Sequence, residues 1–419
     1  MSEVTWEITS LSELGTFSRG KSKHRPRNDA KLFEGGTYPL VQTGDVKAAN
    51  LYITKNDSYY NDFGLKQSKL WPAGTLCITI AANIAETAIL SYPMCFPDSI
   101  VGFNANPEKS SELFVYYFFE YIKKEIQKSA SGSIQDNINI DYLSKMRIKV
   151  PEKDYQDKIV EVLSSIDKKI LLNNQINQEL EDMAKTLYDY WFVQFDFPDQ
   201  NGKPYKSSGG KMVYNPELKR EIPEGWGVDS LWNIANFYNG LAMQKYRPDT
   251  NEDDYLPVIK IREMMNGFSK DTEKARLDIP TEAVVERGDI LFSWSATLEV
   301  IIWGKERGAL NQHIFKVTSD TYPKSFIYFE LKSYLKVFKA IAELRKTTMG
   351  HITQDHLKQA KIVVPPIEII SKLDAKLQLI MLKQQILENQ NQELTQLRDW
   401  LLPMLMNGQV YKRIEGKND

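Results

Sequence analysis

The residues best suited to chemistry in this chain are basic and polar, and they sit in short runs that glycine and proline keep out of helices. Arg19, Lys21, Lys23, His24, Arg25 and Arg27 fall within nine residues that contain no acid. Fixed positive charges at that spacing suit the phosphates of a nucleic acid, and arginine forks suit guanine edges. A solvated surface loop is the plainer reading of the same residues. Further along, Gln244, Lys245 and Arg247 form a thinner basic set, backed by Lys260 and Arg262. Amides and hydroxyls supply a second type of candidate. Gln42 and Thr43 open the polar turn Gln42–Asp45, and Asn83 and Ser295 follow short apolar runs. Ser133, Gln135 and Asn137 lie in SASGSIQDNIN, and Thr348 and His351 in KTTMGHITQ. On glycine-bearing loops these groups can reach base edges and phosphates, or they can simply close helix-to-strand turns.

Catalytic patterns are weak by comparison. Gly15–Ser22 fits GxxxxGK[ST] literally. That loop holds phosphate only between a buried strand and a helix N-terminus. Here it runs into Lys23-His24-Arg25-Pro26-Arg27, which makes no amphipathic helix. Pro198-Asp199 followed by Glu217-Leu218-Lys219 has a nuclease-like spacing, but the segment has no strand signal to hold two carboxylates on one metal. No amino-methylation tetrad, no FxGxG, HExxH or GxSxG motif and no Cys/His cluster is present. The site expected is therefore one that binds, with no catalytic, cofactor or metal residue.

What positions these runs is an internal repeat. At an offset of 214 residues, Gly74 falls on Gly288, Ile100 on Ile314, Leu143 on Leu357, Val150-Pro151 on Val364-Pro365 and Asn177–Leu180 on Asn391–Leu394. Near the start the offset is 220, and Trp6, Leu11, Phe17 and Gly20 match Trp226, Leu231, Phe237 and Gly240. Each copy opens with short β-type runs such as Leu76–Ile80 and Ile290–Trp294, continues into an aromatic-rich helix, and ends in a long helix after a proline. Ile159, Leu163, Ile166 and Ile170 in one long helix, and Leu373, Leu377 and Ile380 in the other, recur at three and four. A helix of about 40 residues spans about 60 Å and needs a partner for its stripe. The obvious partner is its repeat, paired antiparallel; the alternative is that each domain folds its helix onto itself. The expected fold is α+β: two pseudo-symmetric mixed domains separated by two long antiparallel, coiled-coil-like helices. The expected divisions are 1–151 for the first domain, 152–196 for the central helix and 197–222 for a linker rich in Gly, Pro, Ser and Lys. They continue with 223–365 for the second domain, 366–412 for the C-terminal helix and 413–419 for a tail.

The 419 residues carry a net charge of −2, which neither supports nor excludes nucleic acid, because only a contacting face must be positive. Two cysteines, Cys77 and Cys95, and four histidines are too few for a zinc or disulfide framework. Both cysteines read as buried thiols. With no signal peptide and no apolar run of membrane length, a cytoplasmic protein is expected.

The repeat, the helix segments NQELEDMAKTLYDYWF and NQELTQLRDWLLPMLMNGQVYK, and the junction IPEGW together carry a resemblance. So do the blocks GSIQDNINIDYLSKMRIKVPEKDYQDKIVEVLSSID and MGHITQDHLKQAKIVVPPIEIISKLDAKL. Over nearly its whole length the chain resembles the specificity subunit, HsdS, of type I restriction–modification systems. The resemblance implies that each mixed domain is a target recognition domain reading a short run of double-stranded DNA. It implies that the helices form a spacer and a dock for two methyltransferase subunits, with two restriction subunits joining the complex. S-adenosylmethionine, ATP and Mg2+ would belong to those partners, which methylate adenine N6 and cleave DNA, and none to this chain. Because the basic loops have diverged while the helices stayed alike, the target is expected to be bipartite and asymmetric. The competing classes are a repeat scaffold that binds only proteins and a methyltransferase or nuclease with an unusual site.

Overall fold

The computed structural model describes residues 4–81, 83–132, 140–249, 254–344 and 350–409. Among them both copies of the repeat build closely similar sets of elements from mixed helix and sheet. The first strand of each copy pairs antiparallel with its last: Trp6–Ser10 with Arg147–Pro151, and Gly227–Ser230 with Lys361–Val364. Between them lies a larger sheet. In the first copy its order is Gly15–Arg19, Ile100–Ala105, Leu76–Thr79, Thr87–Leu90 and Tyr52–Ile53; in the second it is Asn236–Asn239, Ile314–Thr318, Ile290–Ser293 and Glu299–Ile302. A second sheet, four-stranded and built of shorter strands, accompanies each, centred on Tyr38–Leu40 beside Met94–Cys95 and on Leu256–Ile259 beside Gly308–Leu310. The central strands are buried on both faces, as their unbroken apolar runs require.

The repeat is visible in backbone detail. Gly74 and Gly288 both take positive φ, +86° and +89°, in the turn that leads into a central strand, a conformation that favours glycine. Thr79 and Ser293 end those strands fully buried, and each hydroxyl accepts from the backbone N–H of a residue across the hairpin, Glu86 at 2.9 Å and Glu299 at 2.9 Å.

The aromatic helices are Glu112–Gly132 and Lys324–Leu344, and the long ones are Lys153–Tyr188, continued by a π-turn over Asp189–Val193, and Ile367–Met406. The chain folds as two compact units, residues 1–172 with 390–419 and residues 173–389. These divisions differ from those drawn on the sequence, because each unit takes half of each long helix into its own core. In the first, Ile159 and Leu163 share a core with Leu405 and Met406, and Arg398 pairs with Asp167 at 2.9 Å. In the second, Ala184 and Tyr188 share a core with Ile370, Leu373 and Leu377, while Gln384 Nε2 donates to the Asn177 carbonyl. Within each unit the two helix halves run antiparallel.

The supposed linker at 197–222 is folded. Met212–Asn215 pairs with Arg220–Pro223, and Phe197 and Ile222 are buried in the core of the second unit. The Asp196 carboxylate accepts from the Ser207 N–H at 2.7 Å and its hydroxyl at 2.6 Å. Gly, Pro and Ser there mark turns, whereas stacking of Phe197 on Tyr205 and its tilted contact with Trp226 hold the segment down. Both cysteines are buried free thiols; burial alone pushes Cys77 well up, and burial against a lowering hydrogen bond with Ser68 pushes Cys95 up to about 11. Among the described residues no helix is long and apolar enough to cross a membrane.

Candidate nucleic-acid interface

In each copy the larger sheet has one corner where its edge strand ends beside the turn that precedes its neighbour. A glycine makes this corner possible. Gly20 follows Gly15–Arg19 and passes so close to the turn before Ile100 that a Cβ on it would lie 2.2 Å from the Pro97 carbonyl oxygen. Gly240 follows Asn236–Asn239 and does the same against Asn311, again at 2.2 Å. Backbone bonds lock both contacts: Gly20 N–H to Ile100 O at 2.9 Å, and Gly240 N–H to Ile314 O at 3.1 Å. The glycine of the phosphate-loop match thus serves strand packing, and Gly15–Arg19 is a β-strand, so that match is rejected on geometry.

The basic loop of the first copy is pinned at this corner. Lys21 N–H donates to Phe96 O, Lys23 N–H to Gln67 O, and the Ser68 hydroxyl to Lys21 O. Asp98, on the turn itself, gathers the arginines. Its carboxylate lies 2.5 Å from Arg27 and 3.7 Å from Arg25, and its carbonyl accepts from Arg19 Nε at 2.5 Å. His24 bonds Asp29, holding that carboxyl below its usual range. Lys21 and Lys23 are exposed and make no ion pair among the described residues. The basic loop is therefore a braced one, in which an acid distant in sequence holds two guanidinium groups side by side.

Beside it, Gln42 and Thr43 are not a simple turn. Gln42 caps the helix Thr43–Ala48, its N–H donating to Asp45 at 2.7 Å. Lys47 of that helix donates to Asn83 Oδ1 at 3.2 Å, so Gln42, Thr43 and Asn83 share one neighbourhood. In the second copy Lys260 caps the corresponding helix, Ile261–Asn266. There Lys260 pairs with Glu273 at 2.6 Å and Arg262 with buried Glu263 at 2.6 Å. Both are committed within their own domain, so they are poorer candidates than Gln244, Lys245 and Arg247, which are exposed on or just after the turn Met243–Tyr246. Ser295 and His351 meet across a β-bridge. Ser133, Gln135, Asn137 and Thr348 lie outside the described residues.

Residues that sequence reasoning missed complete the second corner. Trp294 packs edge-on to His351 and against His313, with ring centroids 6.1 and 5.7 Å apart, and its indole N–H donates to Asn239 at 3.0 Å. Ser295 Oγ lies 3.2 Å from His313 Nδ1, and Gln312 Nε2 lies 3.4 Å from His313 Nε2. At the repeat offset Gln312 and His313 fall on Asp98 and Ser99, a correspondence that gains meaning only once the sheet order places both turns at a corner. The nuclease-like carboxylates are occupied elsewhere, with Asp199 accepting from the N–H groups of Asn201 and Lys203 and Glu217 pairing with Lys361.

Similarities to known proteins bear on this architecture. The family profile described as "Type I restriction modification DNA specificity domain" matches twice, over residues 3–182 and 223–396. The chain is 26% identical to the type I restriction enzyme MjaIX specificity subunit of Methanocaldococcus jannaschii, an alignment covering 97% of this chain and 93% of that one. It is also 26% identical to the HindI specificity subunit of Haemophilus influenzae, covering 92% and 97%. The crystal structure of a type I restriction–modification S subunit from M. genitalium shares the fold, with a TM-score of 0.55 at 15% identity and 97% of each chain covered. With two profile matches accounting for most of its length, the chain belongs to the type I restriction–modification DNA specificity family.

Proposed function

We propose that this chain is the DNA-reading subunit of a type I restriction–modification complex and recognises a bipartite, asymmetric duplex target, one half per copy of the repeat. The observation that carries this reading is the pair of corners. Each rests on the same glycine-against-turn packing, yet one displays arginines braced by Asp98 and the other displays amide and imidazole groups. A shared scaffold with different side chains at one place suits two unlike half-sites. Phosphate contacts would come from Lys21 and Lys23 in one copy and from Lys245 and Arg247 in the other.

The same reading makes the long helices a spacer and a dock for two methyltransferase subunits, with two restriction subunits in the full complex. Exposed apolar residues recur on them at repeat-equivalent places, Leu172 with Ile386 and Met183 with Leu397, as two equivalent docking sites require. The chain itself is non-catalytic and works in the cytoplasm; S-adenosylmethionine, ATP and Mg2+ are used by its partners. The test is a chimera that takes residues 1–150 from the Haemophilus relative. Duplexes captured from a random pool by parent and chimera are sequenced. One half of the captured motif changes and the other stays, and incubation of the chain alone with DNA, S-adenosylmethionine and Mg2+ gives no turnover. A change in both halves, or turnover without partners, refutes the proposal.

A further inference from the structure

The geometry points to Gln312 and His313 as the base-reading side chains of the second unit, held on a platform made by Trp294; this deepens the function proposed above and rests on it. Three features set these residues apart from the rest of the surface. First, they stand on the corner turn at the repeat-equivalent places of Asp98 and Ser99, the turn to which the first copy's arginines are tied. The two copies thus keep one backbone and change its chemistry at that turn. Second, the turn is fixed. Gln312 N–H donates to Leu241 O at 3.0 Å, Trp294 N–H to His313 O at 3.3 Å, and the carbonyl of Trp294 accepts from Ile352 N–H at 2.8 Å. Third, the side chains above it are half-buried or exposed but oriented. His313 Nδ1 faces the Ser295 hydroxyl, its ring lies against Trp294, and the Trp294 indole is tied to Asn239. Rigid placement of a small polar set is what base readout needs, because a side chain that must be ordered on binding loses discrimination.

The chemistry of the set defines the ligand. A glutamine amide presents one donor and one acceptor, the complement of the N6 and N7 edge of adenine in the major groove. An imidazole with Nδ1 engaged by Ser295 turns Nε2 outward, toward Gln312, where it can share the same base pair or contact the next one. Gln312 and His313 therefore read one or two adjacent base pairs of one half-site, with adenine preferred by Gln312. Trp294 is a positioning residue that touches no base.

The test uses the full chain and a pool of random duplexes, with captured sequences compared for the parent, Gln312→Ala, His313→Ala, Trp294→Ala and Trp294→Phe. The first two variants relax one or two adjacent positions of a single half-site, with discrimination there falling about tenfold or more. The other half and the melting temperature remain unchanged, because neither side chain is core. Trp294→Ala relaxes the same positions, and Trp294→Phe, which keeps an aromatic ring, restores most of the preference. Unchanged motifs in both Gln312→Ala and His313→Ala overturn this inference and leave the function standing, and so does relaxation of both halves together. Failure of the unmodified chain to enrich any motif overturns the function and this inference with it.

Discussion

Replacing Gly240 by alanine strikes the corner that holds the second unit's candidate contacts. A Cβ there would lie 2.2 Å from Asn311 O, 2.5 Å from Asn311 C and 2.5 Å from Leu310 O, all backbone atoms that no rotamer change can move. Reaching ordinary van der Waals contact requires the strand end and the turn to separate by about 1 Å or more. A shift of that size breaks the bonds from Gly240 N–H to Ile314 O at 3.1 Å and from Leu241 N–H to Leu310 O at 2.9 Å. Losing two backbone hydrogen bonds, partly compensated by water, costs about 2–4 kcal/mol locally. The damage stays in the second unit, where it displaces Gln244, Lys245, Gln312 and His313 together. Amide hydrogen exchange then shows lost protection at residues 239–241 and 311–314, and capture from random duplexes shows one degraded half-site. Gly20→Ala, with its Cβ at 2.2 Å from Pro97 O, gives the mirror result in the other half. Wild-type protection together with two intact half-sites in Gly240→Ala would remove the corner from recognition altogether.

Other expectations follow from single contacts. Asp98→Asn removes the acid that gathers Arg25 and Arg27; DNA binding becomes tighter and more salt-sensitive, with the log–log salt slope steeper by about one, while the first half-site relaxes. Asp167→Ala strips the partner from Arg398 at 2.9 Å and from the Tyr117 hydroxyl at 2.6 Å, and the carboxylate it removes is only 9% exposed. Denaturant unfolding shows the first unit losing about 3 kcal/mol or more, and a loss under about 1 kcal/mol contradicts the buried-network reading. Burial raises the Glu330 carboxyl from 4.5 to about 7, against the hydroxyl of Tyr188 and the charge of Arg220, which lower it, and with Asp189, which adds to the rise. The folded state therefore holds this proton more tightly than the unfolded chain. Its contribution, about 3 kcal/mol at most, is complete below about pH 4.5 and lost as pH rises through about 7. Glu330→Gln flattens that part of the pH–stability curve, and an unchanged slope excludes Glu330 as its source.

The repeat was the most legible feature of the sequence because it reports backbone requirements. Gly74 and Gly288 match since both turns need positive φ, and Gly20 and Gly240 match since both strands press on a turn. The long-helix stripes were legible for the ordinary reason that period-3.6 apolar residues must be buried. Pairing across distance was not. Arg27 lies 71 residues from Asp98 in sequence, so nothing within the basic loop announced the acid that braces it. Arg262 and Lys260 read as available cations although Glu263 and Glu273 neutralise them. Gln312 and His313 escaped notice because nothing local marks a strand-connecting turn as a corner; only the sheet order places it beside Gly240. In residues 197–222, turn-forming composition masked a hairpin that aromatic stacking holds in place.

If two corners of one repeated scaffold read two unlike stretches of DNA, the methylation pattern of the host must record both. The decisive experiment maps methylated adenines across the genome of cells that carry this chain with its methyltransferase partners. The expected result is one motif with two different specified runs separated by a fixed unspecified gap. A palindromic motif, or a single continuous run, would contradict it.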